Sequence, residues 1–259
     1  MTHDGPQVVT SRDNALLKEL RRLAQDSTAY RKQGRAWLEG DHLCRAALAQ
    51  GHKPMLAVFA ESFWPQGRTE WGTAAAKTVL VADSLFKGLS GLESPAPMAF
   101  VIDLPPAPAL DPHAASVVLD RVQDAGNVGA ILRSAGAFGF RQVIALKGTA
   151  ALWSPKVLRA GMGAHFGLRL LESAEPAVLA GLAVPILMTS SHHGDTLNRA
   201  TLPWPCAWAL GHEGQGLGDA VRAFASQSVR IAQPGGEESL NVACAAAICL
   251  HASAIAHAG

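Results

Sequence analysis

Several things are missing from this sequence, and each absence narrows the field. Its four cysteines, Cys44, Cys206, Cys244 and Cys249, form no CxxC pair and no zinc-type spacing. Neither a disulfide framework nor a structural zinc site is indicated, and a reducing compartment fits. Cys244 and Cys249 lie in an alanine-rich run and read as small buried hydrophobes. Net charge is only +1, so any contact with a polyanion must be local. No run of about 18 apolar residues suggests a membrane span. The opening MTHDGPQVVTSRDN has no apolar signal core, so a cytoplasmic protein is expected. GxxxxGK[ST] and GxSxG are absent, which removes a readable P-loop and a nucleophile elbow. GMGAHFG, residues 161–167, has the wrong spacing for a dinucleotide fingerprint and no helix after it. His192 and His193 are adjacent rather than four apart, which favours a loop over a metal site, and no metal is expected.

What is present is a chain of 259 residues, 49% hydrophobic and 17% charged, the composition of a well-buried globular protein of one or two domains. LPPAPALDPH, residues 104–113, is the clearest boundary, because prolines withhold backbone donors and favour extended chain. It predicts an N-terminal domain over 1–105, a linker over 106–115 and a C-terminal domain over 116–259. The first domain opens with an amphipathic helix, residues 14–25, whose Leu16, Leu17, Leu20 and Leu23 share one stripe. Around it lies the densest basic stretch: Arg12, Lys18, Arg21, Arg22, Arg31, Lys32 and Arg35. A solvated helix face explains such a cluster as readily as a nucleic acid does. MLAVFA, TVLVAD and MAFVID read as strands, with a helix-like SLFKGLSGL between the last two.

The second domain alternates. SVVLD, QVIALK, PILMTS, AWALG and SVRIA are short apolar strands, and helical stretches separate them. This pattern predicts a parallel sheet covered on both faces, with ligands outside its strand carboxyl ends. Three polar loops follow such strands. In LDRVQDAGNVGAILRSAGAFGF, Asn127 can cap a helix and Arg133 interrupts its apolar face. In WALGHEGQGLGD, Glu213 sits among Gly211, Gly214 and Gly216, which allow positive φ and close ligand approach. In GGEESLNVACAAAICL, Ser239 or Asn241 can cap a final helix that has almost no polar face and reads as buried. Glu238 has no evident role.

The order and wording of these loops resemble the SpoU/TrmH family of the SPOUT superfamily, S-adenosylmethionine-dependent RNA methyltransferases. DAGNVGAILRSAGAFGF resembles the family's first motif, ALGHEGQGL its second and IAQPGGEESLNVACAAA its third. SPKVLRAGMGAHFGL is similar to the family's segment between the first two, and residues 14–43 to its N-terminal substrate-binding domain. Ala125, His212 and Tyr30 depart from the common pattern. The resemblance implies an α/β fold with a deep C-terminal trefoil knot and a smaller, L30e-like N-terminal α/β domain that binds RNA. It implies S-adenosylmethionine contacts from Thr189, Gly211, Ile231, Gln233 and Leu240. It implies methyl transfer to a ribose 2′-hydroxyl in rRNA rather than tRNA, by Arg133, Asn127, Glu213, Ser239 and Asn241. It implies RNA contacts from Arg21, Arg22, Arg31, Lys32 and Arg35, and a homodimer through the knotted domain. Arg133 is the family's proposed general base. A guanidinium resists deprotonation, so orienting the hydroxyl and stabilising its developing charge is the reading we favour. The alternatives are a non-catalytic RNA- or ribosome-binding protein on the same fold, and base rather than ribose methylation.

Overall fold

A computed structural model describes residues 5–91, 95–190, 194–236 and 239–257. His192, His193 and Glu238 lie outside the described residues. The first elements are β1 (Gln7–Val9), α1 (Ala15–Gln25), α2 (Ala29–Gln33), β2 (Arg35–Glu39), α3 (Asp41–Ala49) and β3 (Leu56–Ala60). Then come α4 (Trp64–Trp71), β4 (Lys77–Val81), α5 (Asp83–Phe86), β5 (Met98–Asp103), β6 (Ser116–Asp120), α6 (Ala125–Ala137) and β7 (Gln142–Leu146). The chain continues through α7 (Pro155–Gly161), β8 (Arg169–Ala174), β9 (Ile186–Thr189), β10 (Asp195–Thr196) and β11 (Ala207–Gly211). It closes with α8 (Asp219–Arg222), β12 (Gln227–Arg230) and α9 (Val242–Ala256). Two compact units result: Met1–Pro106 with Trp153–Phe166, and Ala107–Leu152 with Gly167–Gly259.

The first unit is a mixed sheet ordered β1-β4-β3-β5-β2, in which β5 runs antiparallel to β3 and β2. Asn14 starts α1 by accepting from Leu16 N at 2.9 Å and Leu17 N at 3.3 Å, a cap worth about 1 kcal/mol. Leu17, Leu20 and Leu23 are buried, as the leucine stripe predicts, while Leu16 is half-buried. SLFKGLSGL yields only the single turn of α5, since Gly88 and Gly91 weaken further helix. The segment Trp153–Phe166 joins this unit, although the sequence boundaries assign it to the C-terminal domain. Trp153, Val157 and Leu158 are buried, the Phe166 ring lies 4.9 Å from that of His52, and Gly163 meets Ala46 where no side chain would fit. GMGAHFG is therefore a packing turn: a Cβ on Gly161 would lie 2.5 Å from the His165 ring.

The second unit is a wholly parallel sheet ordered β10-β12-β9-β11-β6-β7-β8. Alternation sorts its side chains. Val118, Ile144, Ile186, Ala207 and Ala209 share one core cluster with Leu179, Leu217 and Val221. Between the two alanines, Trp208 turns to α9, where its Nε1 donates to buried Ser253 Oγ at 2.9 Å. Helices α6 and α9 pack on each other, and the small residues Gly129, Ala135, Ala246 and Cys249 are among those they bury.

The proline-rich stretch expected as a linker, 106–115, belongs to this unit from Ala107 onward. Buried Gln142 accepts from Asp111 N at 2.8 Å and donates to Asp111 O at 3.0 Å and Ser116 Oγ at 2.9 Å. Leu110 packs on the core cluster, which offsets the cost of fixing the proline-rich chain. Helix α9 is not buried all round: Cys244 and His251 are exposed, as are Ile248 at 40% and Ile255 at 60%. These four recur at intervals of three or four and form one outward stripe. Among the described residues, no helix is long and apolar enough to cross a membrane.

Candidate active site

Register brings the polar loops together. Gly211 pairs with Asp120, and Thr189 with Val229, so β6, β9, β11 and β12 end on one edge of the parallel sheet. This is the edge where open α/β sheets bind ligands.

Glu213 is the hub. Its carboxylate accepts from Gln123 N at 3.3 Å, Asp124 N at 3.2 Å and Asn127 Nδ2 at 3.1 Å. Partial burial pushes this carboxyl up, but the hydrogen bonds from Asn127 and from the backbone N–H groups of Glu213, Asp124 and Gln123 hold it below the ordinary glutamate range. Asn127 Oδ1 then accepts from Asn241 Nδ2 at 2.9 Å. Asn241 Oδ1 accepts from Ala243 N at 2.9 Å and Cys244 N at 3.2 Å and so caps α9. A carboxylate only accepts, so it fixes which end of each amide faces which partner. One directed chain of hydrogen bonds therefore ties the second motif to the first and the first to the third. Asp124, not Asn127, caps α6, accepting from Asn127 N at 2.7 Å. That leaves the Asn127 side chain for the bridge.

A second tie, which sequence reasoning missed, runs in the opposite direction. Arg121 has a φ of +60°, uncommon for a residue with a side chain. Its Nε donates to Asp120 Oδ1 at 3.0 Å, its Nη1 to Gln215 Oε1 at 3.1 Å and its Nη2 to Gly216 O at 3.4 Å. Hydrogen bonding and the negative charge of Asp120 hold the guanidinium firmly protonated. Asp120, only 5% exposed, also accepts from Gly218 N at 2.6 Å. The loop after β6 thus sends Arg121 to the loop after β11, and receives Glu213 in return.

Inside the loop after β11, His212 exchanges backbone hydrogen bonds with Gly216, and its Nδ1 accepts from Gly214 N at 3.0 Å. Gly216 has φ +67°. A Cβ on Gly211 would lie 2.2 Å from the Gly216 carbonyl carbon, so this glycine is required by the loop folding back on itself. After β12, Gln233 Oε1 is buried without a hydrogen-bond partner among the described residues. Leu240, 39% exposed, and Ser239 stand ahead of the α9 cap. An orphaned acceptor and an exposed leucine in one loop fit a ligand with an apolar ring and an N–H or O–H to donate.

The SpoU rRNA methylase family model matches residues 114–251. The chain belongs to the SpoU rRNA methylase family. It is 31% identical to an uncharacterised tRNA/rRNA methyltransferase of Synechocystis sp., over 94% of this chain and 92% of the relative. A solved RNA 2′-O ribose methyltransferase superposes with a TM-score of 0.79 at 31% identity, covering 95% of this chain and 98% of that one. An AdoMet-bound rRNA methyltransferase from Sinorhizobium meliloti shares the fold, with a TM-score of 0.83 at 24% identity over 97% and 98% of the two chains.

In this member of the family the three motif loops meet, and Asn127 is hydrogen-bonded to both Glu213 and Asn241. Arg133 is exposed on α6 and, among the described residues, has neither an ion pair nor a hydrogen bond to Asn127. The basic residues of the first unit are unequal. Arg35 is engaged by Glu19 at 3.1 Å and Asp103 at 3.6 Å, and Arg21 Nε donates to Gly88 O at 3.2 Å. Arg22 faces Asp26 at 3.9 Å, Arg31 lies over the Tyr30 ring at 5.5 Å, and both stay exposed, as does Lys32.

Proposed function

We propose that the protein methylates a ribose 2′-hydroxyl of rRNA, using S-adenosylmethionine. The observation that carries this reading is the Glu213–Asn127–Asn241 chain, which joins three motif loops, with Arg133 exposed on the same helix as Asn127 and unpaired among the described residues. Kinship to a solved RNA 2′-O ribose methyltransferase at 31% identity supports the reaction, and the family's rRNA designation supports the substrate. When bound, S-adenosylmethionine supplies a methyl group activated by its sulfonium. Thr189, Gly211, Ile231, Gln233 and Leu240 would hold it, with Gln233 Oε1 taking a donated hydrogen bond and Leu240 covering an apolar ring. The AdoMet-bound relative of the same fold is consistent with that assignment.

Arg133 orients the 2′-hydroxyl and stabilises negative charge as its proton leaves for solvent or a phosphate oxygen. Glu213, Asn127 and Asn241 hold the loops in the geometry this requires, and Ser239 lines the target pocket. The N-terminal unit, as an L30e-like substrate-binding domain, contributes phosphate contacts from Arg21, Arg22, Arg31, Lys32 and Arg35. Its boundaries in this reading are residues 1–105, joined through 106–115 to the methyltransferase domain. The C-terminal domain carries a deep trefoil knot, a reading supported by a strand order in which β12 lies between β9 and β10. Knots are rare exceptions to chain-threading rules. A homodimer through this domain covers the outward stripe of α9, which includes Ile248 and Ile255. Nucleotide-resolution mapping of 2′-O-methyl groups in RNA from cells with and without the gene tests the proposal. We expect one rRNA site to vanish. A site lost only from tRNA, a lost base methyl, or no loss at all would overturn the corresponding part.

A further inference from the structure

The first unit contains a cleft of about 160 Å³ between α1 and the sheet. It opens where β1, β2, β3 and β4 begin, the edge opposite to the one that parallel strands ordinarily offer a ligand. Leu20 and Leu23 of α1 form one wall; Leu56 of β3 and Val101 of β5, which pair in register, form the other. Gln33 ends α2, and the left-handed Gly34, at φ +65°, turns the chain straight into β2. The Gln33 side chain lines the cleft, and its Oε1 is buried without a hydrogen-bond partner among the described residues. Such an oxygen costs stability comparable to a lost hydrogen bond, and leucine at the same place would avoid the cost. The rim carries Glu19, Arg35 and Lys77; the first two pair with each other, and Lys77 has no ion pair among the described residues.

Two apolar walls select a flat, apolar body. A buried acceptor selects an N–H donor on its edge. One unpaired ammonium at the mouth selects an attached anion. An unstacked nucleobase on its phosphate-linked ribose meets all three conditions. Exposed Arg31 and Lys32 directly precede Gln33 and supply further phosphate contacts beside the cleft. We propose that this cleft binds one unstacked base of an RNA strand, with a base N–H donating to Gln33 Oε1. The inference rests on the reading of the protein as an RNA-modifying enzyme, and it adds a base-reading subsite remote from the methyl-transfer loops in sequence. Unstacked bases are what proteins read when they recognise RNA by sequence.

The test uses the full-length protein and single-stranded RNA octanucleotides, either base-bearing or with every base removed. The bases tested are A, C and U, with G in a mixed strand. With methionine methyls labelled, the Met55 resonance, which reports on the cleft lining, should shift with at least one base-bearing strand and not with the abasic one. Gln33→Leu should bind that strand roughly tenfold more weakly, bind the abasic strand unchanged, and melt no lower than the parent protein. Unchanged RNA binding by a folded Gln33→Leu protein would overturn the proposal, as would a silent Met55. A Met55 shift with free nucleosides but with no strand would also overturn it and point to a soluble nucleoside instead. If Gln33→Leu does not fold, the Met55 comparison on the parent protein decides alone. None of these readouts requires methyl transfer, so failure of the cleft and failure of the proposed reaction are separable.

Discussion

The two sheets of this protein differ in which strand ends carry their distinctive feature. In the parallel sheet, the strand carboxyl ends of β6 and β11 carry loops that exchange charged side chains: Arg121 crosses one way and Glu213 the other. In the mixed sheet, the amino ends of β1 to β4 border an apolar cleft, and the nearby charges mostly neutralise one another. The first edge is built from hydrogen bonds among polar groups that range from exposed Glu213 to buried Asp120. The second is built from buried leucine and valine around one unsatisfied oxygen. Chemistry that needs several groups held in fixed geometry suits the first edge, and recognition of a flat apolar body suits the second.

The contrast can be broken first at the edge proposed for catalysis. Arg133→Ala should lower kcat on rRNA by about a hundredfold or more, the scale of a removed charge-stabilising group. Because the side chain is exposed and unpaired among the described residues, thermal stability should stay within about 0.5 kcal/mol. Arg133→Lys keeps the charge without the planar fork, and wild-type rates in both variants would remove Arg133 from the mechanism. At the other sheet, reversing Arg22, Arg31 and Lys32 to glutamate should weaken RNA binding about tenfold and flatten its salt dependence, leaving kcat at saturating RNA unchanged. An unaltered salt slope would show those residues to be a solvated face.

A smaller effect separates strain from positioning. Arg121→Gly relaxes the positive φ, which costs about 1 to 3 kcal/mol for a residue with a side chain, but removes the ion pair with buried Asp120 and the tie to Gln215 and Gly216. The melting temperature should fall, because relief of the strain does not offset a buried carboxylate left without its partner, while the KM for S-adenosylmethionine rises roughly threefold to tenfold. A KM identical to the parent's would make Arg121 purely structural. The smallest change is electrostatic. Since the folded Glu213 carboxyl lies below its ordinary value, its stabilising hydrogen bonds are complete above the ordinary glutamate range and are lost as pH falls through the lowered value. Carboxyl NMR should find Glu213 titrating below that range, and Asn127→Ala should move the midpoint upward. A midpoint that does not move would mean that Asn127 contributes little to holding the charge.

The sequence made the parallel sheet and its three loops legible for a physical reason. Buried parallel strands such as SVVLD and AWALG are near-continuous apolar runs, and polar loops stand out beside them. Asn127, Glu213 and Asn241 carry residue types that do little in apolar surroundings, and they converge. What escaped depends on backbone geometry. Arg121 looks like any loop arginine until its φ is known, and Asp124 takes the capping role because the helix begins two residues before Asn127. Cys244 shares an alanine-rich run with buried Cys249 yet faces outward, because five positions along a helix leave different faces. The lining of the cleft, scattered from Gln7 to Val101, leaves no pattern in a linear reading. Strand β8 is at the sheet edge and mixed in polarity, and so gives no apolar run.

The loop HEGQG and the glycine before it also differ in their freedom to drift. At Gly211 even one added methyl would meet the backbone of Gly216 and Leu217 within 2.5 Å. At Gly214 an added carbon would find only the His212 ring, 3.8 Å away, which is ordinary contact. In a library of all single substitutions, the first position should retain glycine alone, while the second should accept alanine and many others. Neighbouring letters that look alike in the sequence therefore have unlike evolutionary histories open to them.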